Sequence, residues 1–148
     1  MILRPAHPHE ADDLTALTRR SKAHWGYDQD FLARVDHLLV VHSAHIREGG
    51  HVVAEDEGVL LGYYRLGGSP PDGELMDLFV DPKAIGTGLG RTLWEHAVAG
   101  ALARGFRRLS LEADPHAEPF YLHMGAVRVG EREVAPGRLL PLMSFTPP

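Results

Sequence analysis

An α+β fold, with helices and strands mixed around a sheet whose centre is parallel, is what the sequence predicts, and three observations predict it. Two β-rich runs, His51 to Glu55 and Val59 to Leu66, are joined by the turn Asp56-Glu57-Gly58, the composition of a hairpin. From Glu74 onward the pattern changes to strand, glycine turn, helix, strand, which is a βαβ unit and calls for a parallel pair. Two further runs, Ala126 to Glu131 and Leu139 to Phe145, are separated by Pro136-Gly137 and read as closing strands. The 148 residues are expected to form one domain, 1–148, burying on average roughly 70% of the unfolded surface.

Taken in order, Ile2-Leu3-Arg4 is a short strand stopped by Pro5. Pro8 at a first helical position, with Glu10 two residues later, opens a helix whose semi-apolar face is Ala11, Leu14, Leu17 and Thr18. A second helix starts near Asp28, where Phe31, Val35, Leu38 and Leu39 recur at i, i+4, i+7 and i+8. Between these helices runs the aromatic connection Ser21 to Tyr27, and Gly49-Gly50 ends the helical pattern. The stretch Gly67 to Gly73 is rich in breakers and reads as a loop. Glu74 to Val80 is the next strand, followed by the turn Gly86 to Gly90 and the helix Arg91 to Arg104. That helix presents Leu89, Leu93, Ala97 and Ala101 in one row beside Trp94, Val98 and Leu102, a face suited to lying on a sheet, and Gly105 ends it. Arg108 to Ala113 and Ala117 to Met124 complete the series as strand and helix.

Composition removes several function classes. With 44% apolar and 24% charged residues the chain is neither disordered nor fibrous. The absence of cysteine excludes a disulfide framework, a Cys-based zinc site and a thiol nucleophile. No apolar run reaches the roughly 18 residues of a membrane helix, and Met1-Ile2-Leu3-Arg4-Pro5 lacks a signal-peptide layout, so a cytoplasmic protein without a membrane partner is expected. A net charge of -5 argues against nucleic acid and favours small cationic partners. Ten histidines invite a metal reading, but no His-Glu-x-x-His occurs, and the spacing of His37, His42 and His45 does not gather three imidazoles on a helix. No metal is expected.

The most informative segment runs from Phe79 to Arg91, where three glycines spaced by two join a strand to a helix. Glycines admit positive φ and close approach of a ligand, while the free N–H groups and the positive end of the helix dipole attract phosphate oxygens. Arg91 can add a charge. No Gly-Lys-Ser/Thr follows, which disfavours a Walker loop, and Gly-x-Gly-x-Gly in mid-chain is not the dinucleotide fingerprint.

Ile85-Gly86-Thr87-Gly88-Leu89-Gly90 resembles the pyrophosphate-binding motif of the GCN5-related N-acetyltransferases, Gln/Arg-x-x-Gly-x-Gly/Ala, with Ile85 standing at the Gln/Arg position. The resemblance extends to Val80-Asp81-Pro82 before the turn and to Phe120-Tyr121-Leu122-His123-Met124-Gly125-Ala126 after the next strand, over residues 51 to 131. It implies a mostly antiparallel central sheet with a parallel, splayed pair at the cofactor site and helices on both faces. It also implies acetyl-CoA as cosubstrate, cradled by Ile85, Gly86, Thr87, Gly88, Leu89, Gly90 and Arg91 and paired with main chain at Leu78, Phe79 and Val80, one of whose N–H groups would serve the oxyanion. Tyr121 falls at the position of the tyrosine that protonates the departing thiolate, where it would also touch the cofactor.

The general base stays open among Glu74, Asp77, Glu112 and a water chain; Glu74 stands eleven residues before Ile85, where some family members place a glutamate. Strict alternation separates Glu74, Met76 and Leu78 from Asp77. Lys22, His24, Trp25 and Tyr27 would line the acceptor site, suiting an amine through cation–π and hydrogen-bond contacts. The resulting expectation is direct transfer of an acetyl group to a primary amine of a small molecule or peptide, with a homodimer allowed by the resemblance. The rival expectations are an acyl-CoA-binding sensor or scaffold without turnover, and a nucleotide-phosphate binder.

Overall fold

A computed structural model describes residues 1–148. The chain divides into two compact units, one of residues 1–65 with 77–93 and one of residues 66–76 with 94–148. The strands are hydrogen-bonded in the order β1-β2-β3-β4-β5-β7-β6, where β1 is Ile2–Pro5, β2 His51–Asp56, β3 Val59–Ser69, β4 Asp72–Val80, β5 Arg108–Glu112, β6 Val127–Ala135 and β7 Arg138–Phe145. The expected mostly antiparallel sheet with one parallel pair is present. In that pair, β4 with β5, the register runs from Asp72↔Arg108 to Glu74↔Ser110 and ends there, although β4 continues to Val80.

In the first unit, α1 (Ala11–Ala23) supplies the apolar stripe read from the sequence. Leu14 and Leu17 are fully buried with Ala11, Ile46, Val53 and Tyr63 in one cluster. The Tyr63 hydroxyl, deep in this cluster, lies 2.7 Å from the Thr18 hydroxyl, which meets the polar tip's need for a partner. Adjacent residues of β3 divide the two faces. Tyr63 belongs to the α1 cluster, whereas a Cβ on Gly62 would sit 2.9 Å from Leu93 and 3.3 Å from Leu89 of α4 (Leu89–Ala103). Because neighbouring strand residues point oppositely, α1 and the start of α4 cover opposite faces.

Three expectations about elements are corrected. The helix capped by Asp28, α2 (Gln29–Val35), ends in a 3-10 turn over Asp36–Leu38, and Leu38 is 70% exposed. The tighter winding of that turn carries Leu38 off the apolar row. The breaker-rich stretch is no loop: β3 runs to Ser69, Pro70-Pro71 makes the turn and β4 begins at Asp72. Gly73 is required there by crowding, since a Cβ would come within 2.5 Å of Phe106. Finally, β6 extends four residues past Glu131 to Ala135. Two short helices, α3 (Ser43–Arg47) and α5 (Glu118–His123), complete the structure. No helix is long and apolar enough to cross a membrane.

Candidate active site

The glycine turn belongs to the first unit. Residues Pro82–Ala84 form a 3-10 turn capped by the Asp81 carboxylate, which accepts from the Lys83 N–H at 3.1 Å. The Ile85 N–H then donates to Pro82 O, the Thr87 N–H to Ala84 O, and the Thr87 hydroxyl to the same carbonyl. Gly86 and Gly88 take φ of +84° and +87°, a region costly for any residue with a Cβ, and no atom lies within 4 Å of where that Cβ would be. Space outside the turn is therefore open. The first helical hydrogen bond of α4 runs from the Thr92 N–H to Gly88 O at 3.1 Å. The N–H groups of Leu89 and Gly90, one turn earlier, have no intrahelical acceptor and lie at the positive end of the helix dipole. Open space, left-handed glycines and a helix start together form an anion cradle, and the residues present fit a pyrophosphate.

Asp81 is the turn's anchor. It is 4% exposed, and its other oxygen accepts from Arg20 Nε at 3.1 Å and Nη2 at 2.7 Å. Burial opposes its charge, yet the Arg20 and Lys83 hydrogen bonds outweigh that and hold its pKa below the ordinary carboxylate value. Sequence reasoning placed Asp81 in the motif Val80-Asp81-Pro82 without assigning it a role, and missed Arg20. An Asp directly before a Pro that opens a turn is a capping signal and would have supplied that role. Nothing local could have found Arg20, 61 positions away.

Among the expected acceptor residues, His24 and Trp25 are exposed and meet edge to face at 5.4 Å. Tyr27 is half-buried against Phe31, with ring centres 4.4 Å apart. The ammonium of Lys22 lies 4.9 Å from the Tyr27 ring centre, so the cation on that face is the chain's own. Asp77 sits close enough to Tyr63 to add to the effect of burial in raising the Tyr63 pKa far above its ordinary value.

Glu74 and Tyr121 fall in the second unit. Glu74 is exposed in a cleft of about 440 Å³ with Asp72, Ser110, Glu112, Val129 and Leu142, within the size range of small-molecule sites. The register explains the grouping. Glu74 is opposite Ser110, Ser110 opposite Ser144 and Glu112 opposite Leu142, so these side chains share one face. The neighbouring acids are engaged: Asp72 meets Arg108 at 3.1 Å, and Glu112 forms two hydrogen bonds with Arg132, at 2.9 and 2.8 Å. Glu74 takes part in no such pair. Tyr121 is 7% exposed, with its ring edge to face with Trp94 at 5.8 Å. The histidine clusters yield no group of three or more His, Cys, Asp or Glu arranged to hold a metal ion.

A strand–glycine turn–helix unit on a mixed sheet with one parallel pair is the framework of an acyltransferase. Residues 12–126 match the acetyltransferase (GNAT) family, and the chain belongs to that family as an N-acetyltransferase. A 5-NmdU N-acetyltransferase of Pseudomonas phage PaMx11 is 31% identical over 136 residues, covering 88% of this chain and 90% of the relative. Two solved structures share the fold. The PaiA N-acetyltransferase of Thermoplasma acidophilum in complex with coenzyme A has a TM-score of 0.79 at 16% identity, covering 98% of each chain. A GCN5-related N-acetyltransferase of Rhodopseudomonas palustris has the same TM-score at 24% identity, covering 98% of this chain and 94% of its own.

Proposed function

We propose that the chain, working as one catalytic domain over residues 1–148, uses acetyl-CoA to acetylate a primary amine of a small molecule or peptide by direct transfer. The observation that carries this reading is the open glycine turn, with Gly86 and Gly88 at positive φ and no atom within 4 Å of their Cβ positions. The coenzyme A in the Thermoplasma acidophilum structure supports the choice of donor. Ile85, Gly86, Thr87, Gly88, Leu89, Gly90 and Arg91 would hold the pyrophosphate, and main chain at Leu78, Phe79 and Val80 the pantetheine arm. Acetyl-CoA supplies the activated thioester.

Within this reading, Glu74 removes the proton from the attacking amine. Its carboxylate is exposed in a cleft and has no ion pair to give up, whereas Asp72 and Glu112 are already engaged by arginines. A backbone N–H at Leu78 to Val80 donates to the developing oxyanion, and the Tyr121 hydroxyl returns a proton to the thiolate. His24 and Trp25 form the acceptor wall. A second acceptor reading comes from the phage relative, whose name gives 5-NmdU as its substrate. Calorimetric titration with acetyl-CoA, with CoA and ATP as comparisons, tests the donor. Micromolar binding of acetyl-CoA is expected, and no binding or a preference for ATP overturns the reading. An acetylation screen against small amines, amino-terminal peptides and 5-NmdU then separates the acceptors.

A further inference from the structure

Asp81 joins three parts of the first unit: α1 through Arg20, β3 through its own N–H on Leu61 O at 2.8 Å, and the segment leading into the glycine turn. From Asp81 onward the backbone has little slack. The Ala84 N–H donates to Asp81 O at 2.8 Å, the Ile85 N–H to Pro82 O at 3.2 Å and the Thr87 N–H to Ala84 O at 3.3 Å, while Ala84 itself is 5% exposed. Each bond spans three residues, so where Asp81 sits decides where Gly86 and Gly88 sit. Lys83 contributes only a backbone N–H to one carboxylate oxygen. The other oxygen is oriented by the guanidinium, whose planar fork fixes direction as well as charge.

We propose that Arg20 is a positioning residue for acetyl-CoA: from the last turn of α1 it holds Asp81, and through Asp81 it holds the turn Ile85 to Arg91 in the shape that receives the pyrophosphate. The inference rests on the acetyl-CoA reading above. The Arg20 side chain is 51% exposed and its partner 5%, which separates the two roles. Losing a half-exposed arginine costs the fold little packing. It leaves a buried carboxylate with one donor, and that carboxylate regains hydrogen bonds by turning toward water, displacing the 3-10 turn and the glycines with it. A preorganised cradle is thereby lost before the fold is.

The test compares full-length wild type with Arg20→Met, Arg20→Gln and Arg20→Lys. Arg19→Met serves as control, since Arg19 on the same helix pairs with Asp36 at an exposed site. Acetyl-CoA affinity is measured by calorimetry, and KM and kcat with a turned-over amine. Arg20→Met and Arg20→Gln are expected to raise Kd and KM for acetyl-CoA about tenfold with kcat at saturation within about twofold. Arg20→Lys, which keeps the charge but not the fork, recovers part of that affinity, and Arg19→Met changes neither constant. A lowered unfolding midpoint with wild-type KM for acetyl-CoA would show a purely structural pair and overturn the inference, as would a fall in kcat at unchanged KM. Wild-type protein that binds no acetyl-CoA overturns the donor reading and this inference with it. Wild-type binding matched by Arg20→Met overturns this inference alone.

Discussion

Glu74 and Asp81 lie seven positions apart on one stretch of chain and use the same functional group in opposite ways. Asp81 is buried, with both oxygens occupied by an arginine and a backbone N–H. Glu74 is exposed in a cleft between arginine-paired acids and has no pair of its own. A carboxylate whose lone pairs are filled by fixed donors shapes the backbone, whereas one facing an open cleft can take a proton.

Substitution at the two positions should separate these uses most sharply. Glu74→Gln is expected to lower kcat/KM by about a hundredfold while leaving unfolding free energy within about 0.5 kcal/mol of wild type. Asp81→Ala should instead destabilise by about 2 kcal/mol, read by urea denaturation, because it removes a buried acceptor on which the Lys83 N–H and the Arg20 guanidinium both converge. Wild-type turnover in Glu74→Gln across the pH range would move the base to Asp77 or to water.

Acid should reveal a second contrast, between a buried base without a partner and a buried acid with one. Burial, with Arg65 and His45 nearby, holds His51 down to about 4 from 6.5, and its Nδ1 has no hydrogen-bond partner. The unfolded chain therefore takes up this proton at higher pH than the fold does. Stability that is complete above pH 6.5 is lost as pH falls toward 4, by about 3 kcal/mol at most. Glu10 extends the trend: hydrogen bonds from Arg4 hold it down to about 2 from 4.5, so its contribution is present above 4.5 and lost as pH falls toward 2. Urea unfolding measured from pH 7.5 down to 3 should show a continuous decline. His51→Leu should flatten its upper part and Arg4→Met its lower part; equal stability at pH 7 and pH 4 would contradict the His51 assignment.

The glycines supply a smaller contrast of the same kind. Gly88→Val forces a β-branched residue to φ near +87° at an exposed turn, and should weaken acetyl-CoA binding at least tenfold by calorimetry while the protein still folds. Gly62→Val meets Leu93 and Phe79 O instead, and should be seen first as a lowered melting temperature. Smallest of all, Tyr121→Phe should reduce kcat about tenfold at unchanged acetyl-CoA affinity. Full activity in that variant removes Tyr121 as the acid, and absence of turnover in the wild type would favour the sensor reading.

Much of this was legible in local pattern. The apolar spacing of Leu14, Leu17 and Thr18 placed α1 and its buried face, and Gly105 placed the end of α4, where φ is +83°. The shape of the turn from Ile85 to Gly90 was legible as well, because its requirements are local ones: positive φ at Gly86 and Gly88 and a helix start at Leu89. What local pattern misjudged was glycine and proline standing inside or between strands. Gly67-Gly68 and Gly73 were read as breakers, yet they sit in β3 and β4: Gly68 takes φ of +95° with Asp72 O 2.7 Å from where a Cβ would be, and the Phe106 ring leaves no room for a Cβ on Gly73. Within the aromatic connection, the contact of the Lys22 ammonium with the Tyr27 ring is a detail that spacing along the chain does not show.

By itself, then, the sequence determined most of the elements in their order, the glycine turn and the family, since each follows from residues adjacent in the chain or repeating at a helical or strand period. Tertiary structure alone decided which carboxylate is sequestered and which is available. Local signals place Glu74 within a strand and Asp81 before the turn that it caps, but burial and pairing depend on partners distant in sequence: Arg20 for one, the open face shared with Ser110 and Leu142 for the other. Burial and the pairing of charges are set by what the folded chain brings within about 3 Å, a distance that spacing along the sequence does not encode.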